Sequence, residues 1–233
     1  MTHATRQAFS AQRRLTLLAG LVSIGLVAGL AGCKGRPDAG AASADASAGT
    51  SQQAAEPKFN GVDITGANYA QAFSLPDFDG KPRTLADYKG KVVYVFFGFT
   101  QCPDVCPTTM AELAEVRRRL GADGDRVQGV FVTVDPERDT APVLKAYLQA
   151  MDKSFVGLRG TLAQTEDTAR DFKVFYQKVP TKNGGYTMDH TAGAFVFDPD
   201  GQVRLFVRYG MGVDALTADI KQLLASAPAA KKS

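Results

Sequence analysis

From residue 59 onward the apolar positions change period several times, and each change marks an element. Residues 91–100 (KVVYVFFGFT) form a nearly unbroken β-branched and aromatic run, which predicts a central strand buried on both faces. Residues 107–120 place Met110, Leu113, Val116 and Leu120 on one helical face, with Pro107 near the first turn and Gly121 as the stop. A second buried strand is expected over 127–134 (VQGVFVTV), then a helix over about 142–151 and a short strand at 155–158. Residues 161–172 predict a helix opened by a Thr-x-x-Gln capping box. Residues 194–197 and 203–207 flank Asp198-Pro199-Asp200-Gly201, a turn composition, and so predict an antiparallel hairpin. Asp214 is expected to cap a last helix running to about Ala225. Ahead of the first long strand, 73–78 and Thr84-Leu85 around an Asp79-Gly80 turn predict an N-terminal extension.

A β-α-β unit followed by a helix, a hairpin and a final helix is a thioredoxin-like order, so the fold class expected is α/β. The hairpin comes after the loop that holds His190, and the folded domain is expected to span residues 58–226, with 227–233 as a tail. Of the 233 residues, 45% are hydrophobic, enough to bury one core and too many for a mainly disordered chain. Three cysteines exclude a disulfide-dense miniprotein. A single uncharged apolar stretch excludes a polytopic membrane protein.

That stretch lies at the N-terminus. Arg13 and Arg14 precede residues 15–32, eighteen uncharged positions rich in Leu, Val, Ala and Gly, the layout of a secretory signal. It ends in Leu30-Ala31-Gly32-Cys33, which resembles a bacterial lipoprotein lipobox; in such signals the Cys becomes the lipidated first residue of the mature chain. The competing reading is an uncleaved spanning anchor, for which eighteen residues are barely enough. Both readings place the remainder on the periplasm-facing side of a bacterial cell envelope, tethered to a membrane. Residues 33–57 contain almost no large apolar group and are expected to be a flexible tether, reaching ~25–30 Å. Of the formal charge of +3, all resides in residues 1–32, which carry Arg6, Arg13 and Arg14 and no acid. The remainder is neutral, and nothing in it suggests a nucleic-acid partner.

Candidate chemistry concentrates in Cys102-Pro103-Asp104-Val105-Cys106-Pro107, between the buried strand 91–100 and the helix that follows. Ligand sites gather at the carboxyl ends of strands in α/β sheets. A helix N-terminus adds unpaired N–H groups and positive potential that favour a thiolate. Two cysteines four apart lie about one helical turn apart, so both sulfurs can face one acceptor. With Cys33 set aside they are the only cysteines of the domain, and His190 is its only histidine. His190 follows residues 180–185 (PTKNGG), expected to be a mobile loop, and a thioredoxin-like order sets that loop beside the cysteine turn. Two thiolates and one imidazole make a soft, low-coordinate site suited to Cu(I), whereas a closed zinc site wants a fourth ligand.

Other readings of the same residues stand beside this one. The cysteines fit a structural disulfide, or a redox pair, although the usual redox motif has two intervening residues. A lone His is usually a plain surface or core residue. Asp135-Pro136-Glu137-Arg138-Asp139 fits a solvated charge cluster in a strand-to-helix loop, and the aromatics of Phe96-Phe97-Gly98-Phe99 fit core and wall.

Three segments together resemble the Sco/SenC family of copper chaperones: residues 97–107 (FGFTQCPDVCP), residues 132–140 (VTVDPERDT), and Asp189-His190 followed by residues 197–201 (FDPDG). The resemblance runs from about Phe59 to Ala225. It implies a thioredoxin-like domain on a membrane tether that holds copper, Cu(I) or Cu(II), through Cys102, Cys106 and His190. It also implies a role in assembling the binuclear CuA site of cytochrome c oxidase subunit II, either by delivering copper or by keeping that site's cysteines reduced. A copper donor protein is then a second partner. Asp135 and Asp139 match the family's acidic loop; Asp104 and Asp189 lie beside the ligands. Many members carry a spanning anchor where this chain has its lipobox. A peroxidase of the same broad fold would need a cation beside its thiolate, and the cysteine turn holds none.

Overall fold

The computed structural model describes residues 58–226. The expected signal segment, Cys33, the expected tether and the expected tail 227–233 lie outside them. Among the described residues, no helix is long and apolar enough to cross a membrane.

The central strand forms where the uninterrupted apolar run predicts it: β4, Val92–Gly98, is buried at every position. It pairs in parallel with β5, Val127–Thr133, which pairs in parallel with β6, Val156–Leu158. On its other side β4 meets β9, Gly193–Phe197, antiparallel, and β9 meets β10, Val203–Arg208. The short β1, Val62–Asp63, closes that edge, giving the order β1-β10-β9-β4-β5-β6. Strands β2, Ser74–Pro76, and β3, Pro82–Thr84, form the expected N-terminal ribbon.

Helix α1, Val105–Arg119, and helix α2, Ala141–Gln149, link the parallel strands. They cover the face of the sheet that carries Phe96 and Phe131; Tyr147 of α2 meets the Phe131 ring at 5.8 Å. Helix α3, Leu162–Asp171, opens with the predicted Thr161–Gln164 box. Just after it, Phe172 packs on the opposite face against Phe97, Phe195 and Phe197. This β-α-β core, with helices on both faces and an antiparallel pair completing the sheet, is the thioredoxin-like architecture. Helix α4, Val213–Ser226, packs beside α1. Its buried Asp219 accepts from the backbone N–H of Asn60 at 2.9 Å and of Gly61 at 2.8 Å, which pins the start of the domain to the last helix.

Three expectations need correction. Residues 180–185 are not a free loop: Pro180 ends a strand and 181–185 make the turn of a second hairpin, β7 (Tyr176–Pro180) with β8 (Tyr186–His190). Of its strand residues only Met188 is buried and most of the others are half-buried, so the alternation that reveals a half-buried strand is weak. Asp214 sits inside the first turn of α4, where it favours the helix dipole without being the cap. The acidic loop is no solvated cluster: Asp135 is 1% exposed and Asp139 0%.

Candidate metal centre

Cys102 and Cys106 stand where β4 hands over to α1. The chain leaves the sheet at Gly98, turns through residues 99–104 and enters the helix at Val105. The backbone N–H of Cys106, in the first turn of α1, donates to Cys102 Sγ at 3.4 Å. That sulfur therefore takes one of the N–H groups that a helix start leaves without a partner. Cys106 is fully buried, while Cys102 is half-buried; both are free thiols.

Gly98 makes room for the inner sulfur. A Cβ there would lie 2.9 Å from Cys106 Sγ, 2.8 Å from the Phe96 ring and 2.9 Å from the Phe131 ring. Only a residue without a side chain lets the sulfur seat against the strand.

His190 arrives from the other direction, at the end of β8. Its ring is flanked edge-to-face by Phe96 at 5.9 Å and Phe99 at 5.8 Å. Nδ1 lies 3.1 Å from the carbonyl oxygen of Thr191, a group that can only accept, so Nδ1 carries the proton. Nε2 is left with its lone pair toward Cys106 Sγ, 3.5 Å away. The ligand atoms of Cys102, Cys106 and His190 all fall within 4.8 Å of one another, the one such group among the described residues.

The electrostatics of this pocket favour neutral groups until a cation arrives. Burial pushes the Cys106 thiol well above its usual range, only partly opposed by the N–H of Phe99. Burial also pushes the His190 imidazole below its ordinary value, partly opposed by the Thr191 carbonyl. The pair is thus a neutral thiol donating toward a neutral imidazole. A soft cation on these donors must displace the thiol proton, and it returns the charge balance that burial would otherwise oppose. The donor set, two sulfurs and one nitrogen, suits monovalent copper better than a hard cation.

Neither Asp104 nor Asp189 joins the cluster; both are exposed. Asp135 and Asp139 stay out of it too. The Asp139 carboxylate accepts from the Thr100 N–H at 3.1 Å and from the hydroxyls of Thr100 and Thr133, each at 2.6 Å. It ties the cysteine loop to the end of β5. Asp135 accepts from the Tyr186 hydroxyl at 2.9 Å and pairs with Arg138. The sequence reading missed Arg138 and Tyr186 as parts of the site. The only signal for Arg138 was its place between two acids in a short loop.

The SCO1/SenC family model matches residues 62–225. The chain belongs to that family. A curated relative, the mitochondrial "Protein SCO2 homolog" of Mus musculus, is 40% identical over 140 residues, covering 59% of this chain and 54% of its own. The chain therefore spans about half the length of the curated relatives it matches. The structure of Bradyrhizobium japonicum ScoI with copper bound is 42% identical, covers 65% of this chain and 97% of its own, and superposes with a TM-score of 0.60. A SCO1/SenC family lipoprotein from Bacillus anthracis is 27% identical, covers 67% of this chain and 96% of its own, with a TM-score of 0.57.

Proposed function

We propose that this SCO1/SenC protein is a membrane-tethered copper metallochaperone. Copper is its cargo, held by Cys102, Cys106 and His190 and passed to the CuA site of cytochrome c oxidase subunit II. The observation that carries the reading is the convergence of two free thiols and one correctly tautomerised imidazole within 4.8 Å. The copper-bound relative from Bradyrhizobium japonicum supports the choice of metal. In this reading residues 1–32 are a lipoprotein signal, Cys33 carries the lipid, 33–57 are the tether and 58–226 the copper-binding domain. The lipobox and the Bacillus anthracis lipoprotein support the anchor. A copper donor protein would load the site in the cell envelope.

A second reading shares the sulfurs: a thiol–disulfide reductase that keeps the CuA cysteines reduced. The half-buried Cys102, within reach of an incoming disulfide and beside a second free thiol, favours that chemistry. The two readings part at His190, which copper capture uses and thiol exchange does not.

The test is anaerobic Cu(I) titration of detergent-extracted full-length protein, reduced or with Cys102 and Cys106 joined in a disulfide, and of His190→Ala. One Cu(I) per reduced chain, none on the oxidised chain, and a weakened His190→Ala site support the metallochaperone. Equal binding by the oxidised chain would remove the cysteines from the ligand set. Unchanged affinity in His190→Ala would favour the reductase.

A further inference from the structure

The hairpin that delivers His190 is not hydrogen-bonded into the central sheet; β7 and β8 form a sheet of their own. A lone two-stranded ribbon is marginal in water, so its position must come from side chains. At its base, the Thr191 N–H donates to the Phe175 carbonyl at 2.9 Å, which only continues the pairing of the two strands with each other. At its middle, Met188 is buried. At its far end the links converge on one residue of the acidic loop, Arg138.

Arg138 meets all three segments that compose the site. Its Nε pairs with Asp135. Its Nη1 donates to the Tyr186 carbonyl at 2.7 Å and to Gln101 Oε1, beside Cys102, at 3.1 Å. Its guanidinium stacks on the Tyr186 ring, 3.8 Å from the centroid. The Tyr186 hydroxyl returns to Asp135 at 2.9 Å, closing the circuit. A second tie, Lys178 to Glu137, joins β7 to the same loop, but both partners are about half exposed and add little. Tyr186 and His190 are an even number of residues apart on β8, so they project from the same face. Fixing Tyr186 against the acidic loop therefore sets the height at which His190 meets the sulfurs.

We propose that Arg138 is a positioning residue: it bolts the hairpin to the acidic loop and the cysteine loop, so that the imidazole of His190 is held in reach of the two sulfurs. The inference rests on the copper-ligand reading given above. It makes three-donor capture of copper depend on Arg138, while two-sulfur capture does not. A planar fork serves three acceptors and a ring at once, which an ammonium cannot do, so lysine is a poor substitute.

The experiment uses full-length protein in detergent. Arg138→Met alone would strand the buried Asp135 charge, so Arg138→Met is paired with Asp135→Asn, and Tyr186→Phe serves as a milder variant that keeps the stack. Hydrogen exchange of the metal-free protein reads the hairpin directly. The paired variant is expected to speed exchange of residues 186–190 about tenfold or more while leaving β4 and β5 unchanged, with Tyr186→Phe intermediate. Cu(I) affinity should fall roughly 10–100-fold, the usual cost of losing support behind a ligand. X-ray absorption should show copper moving from three donors to two. In a His190→Ala background the same substitutions should cost no further affinity. Unchanged exchange in residues 186–190 would overturn the proposal, as would an affinity loss of equal size with His190 already absent. Wild-type protein that bound no copper would defeat the metal reading alone, since the exchange comparison needs no metal.

Discussion

Gly98→Ala is the smallest change that moves the inner sulfur. The added methyl would meet Cys106 Sγ, the Phe96 ring and the Phe131 ring at 2.8–2.9 Å, each about half an ångström inside ordinary contact. None of the three can swing into solvent, because Cys106, Phe96 and Phe131 are all fully buried. Overpacking of this kind costs about 1–3 kcal/mol, which lowers Tm by ~2–12 °C in a domain of this size. Stability loss alone would say little about the site. Copper–donor distances tolerate only ~0.2 Å, so a sulfur displaced by several tenths of an ångström should lose about tenfold in Cu(I) affinity. Gly157→Ala supplies the control: its Cβ would clash with Leu144 at 2.6 Å, in the contact between β6 and α2, away from the sulfurs. The assay is thermal melting with anaerobic competitive Cu(I) titration of wild type and both variants. Both should melt earlier, and only Gly98→Ala should bind copper more weakly. Wild-type affinity in Gly98→Ala, or an equal loss in Gly157→Ala, would refute the argument that the glycine seats the sulfur.

Asp139→Asn tests the buried carboxyl. Burial raises its pKa above 3.8 despite the threonine donors, with nearby Asp135 adding to the rise. A raised pKa means stability that is full below about pH 4 and is lost as pH climbs through the folded value; thermal melts from pH 3.5 to 7 should show wild type losing ground to Asp139→Asn across that window, and a constant gap would contradict the assignment. Asp219→Ala should cost about 2–3 kcal/mol, since carboxylate hydrogen bonds to Asn60 and Gly61 are charge-assisted; hydrogen exchange should quicken at residues 60–63, and a lower Tm without that change would be the wrong outcome. In the metallochaperone reading, His190→Ala should release Cu(I) to a bidentate chelator several-fold faster than wild type in stopped flow, whereas equal rates would show that the imidazole does not hold the metal.

The parts of this molecule that the sequence discloses are those where one physical demand dominates. The run 91–100 can only be a buried strand, and the capping box at Thr161 forms as its residue types require. The cysteine turn is legible because its chemistry is rare and because it sits between a strand and a helix. The β7–β8 hairpin is not legible, since it buries little beyond Met188 and so leaves no alternation. The acidic loop misleads for a different reason. Five residues carrying four charges read as solvated, yet Asp139 finds threonine donors 39 and 6 positions away, and Asp135 finds a tyrosine 51 positions away. Burial of a charge depends on partners that are distant in sequence, and composition carries no trace of them.

The same distinction separates the two kinds of donor in the site. Both sulfurs belong to the junction of β4 and α1, where Cys106 is locked into the core and Cys102 sits half-buried in the loop before the helix. The nitrogen rides on a ribbon held by a few side chains, where opening costs less than in the core. In the metallochaperone reading a cation on these donors is thus gripped by one sulfur set in the core, a second at its edge, and a nitrogen on a separate ribbon. Withdrawal of the nitrogen exposes the metal first on the side of Cys102, the less buried sulfur, while Cys106 stays sealed beneath Phe96 and Phe131. An incoming thiol would displace donors in the order His190, Cys102, Cys106. Departure of His190 or of Cys106 leaves a neutral or readily protonated group, because burial already disfavours the charged forms of both. A site that only stored its metal would gain from placing all three donors in the core. Under the proposed function, setting one on a separate hairpin weakens capture and eases release, a compromise suited to a protein that passes its metal on.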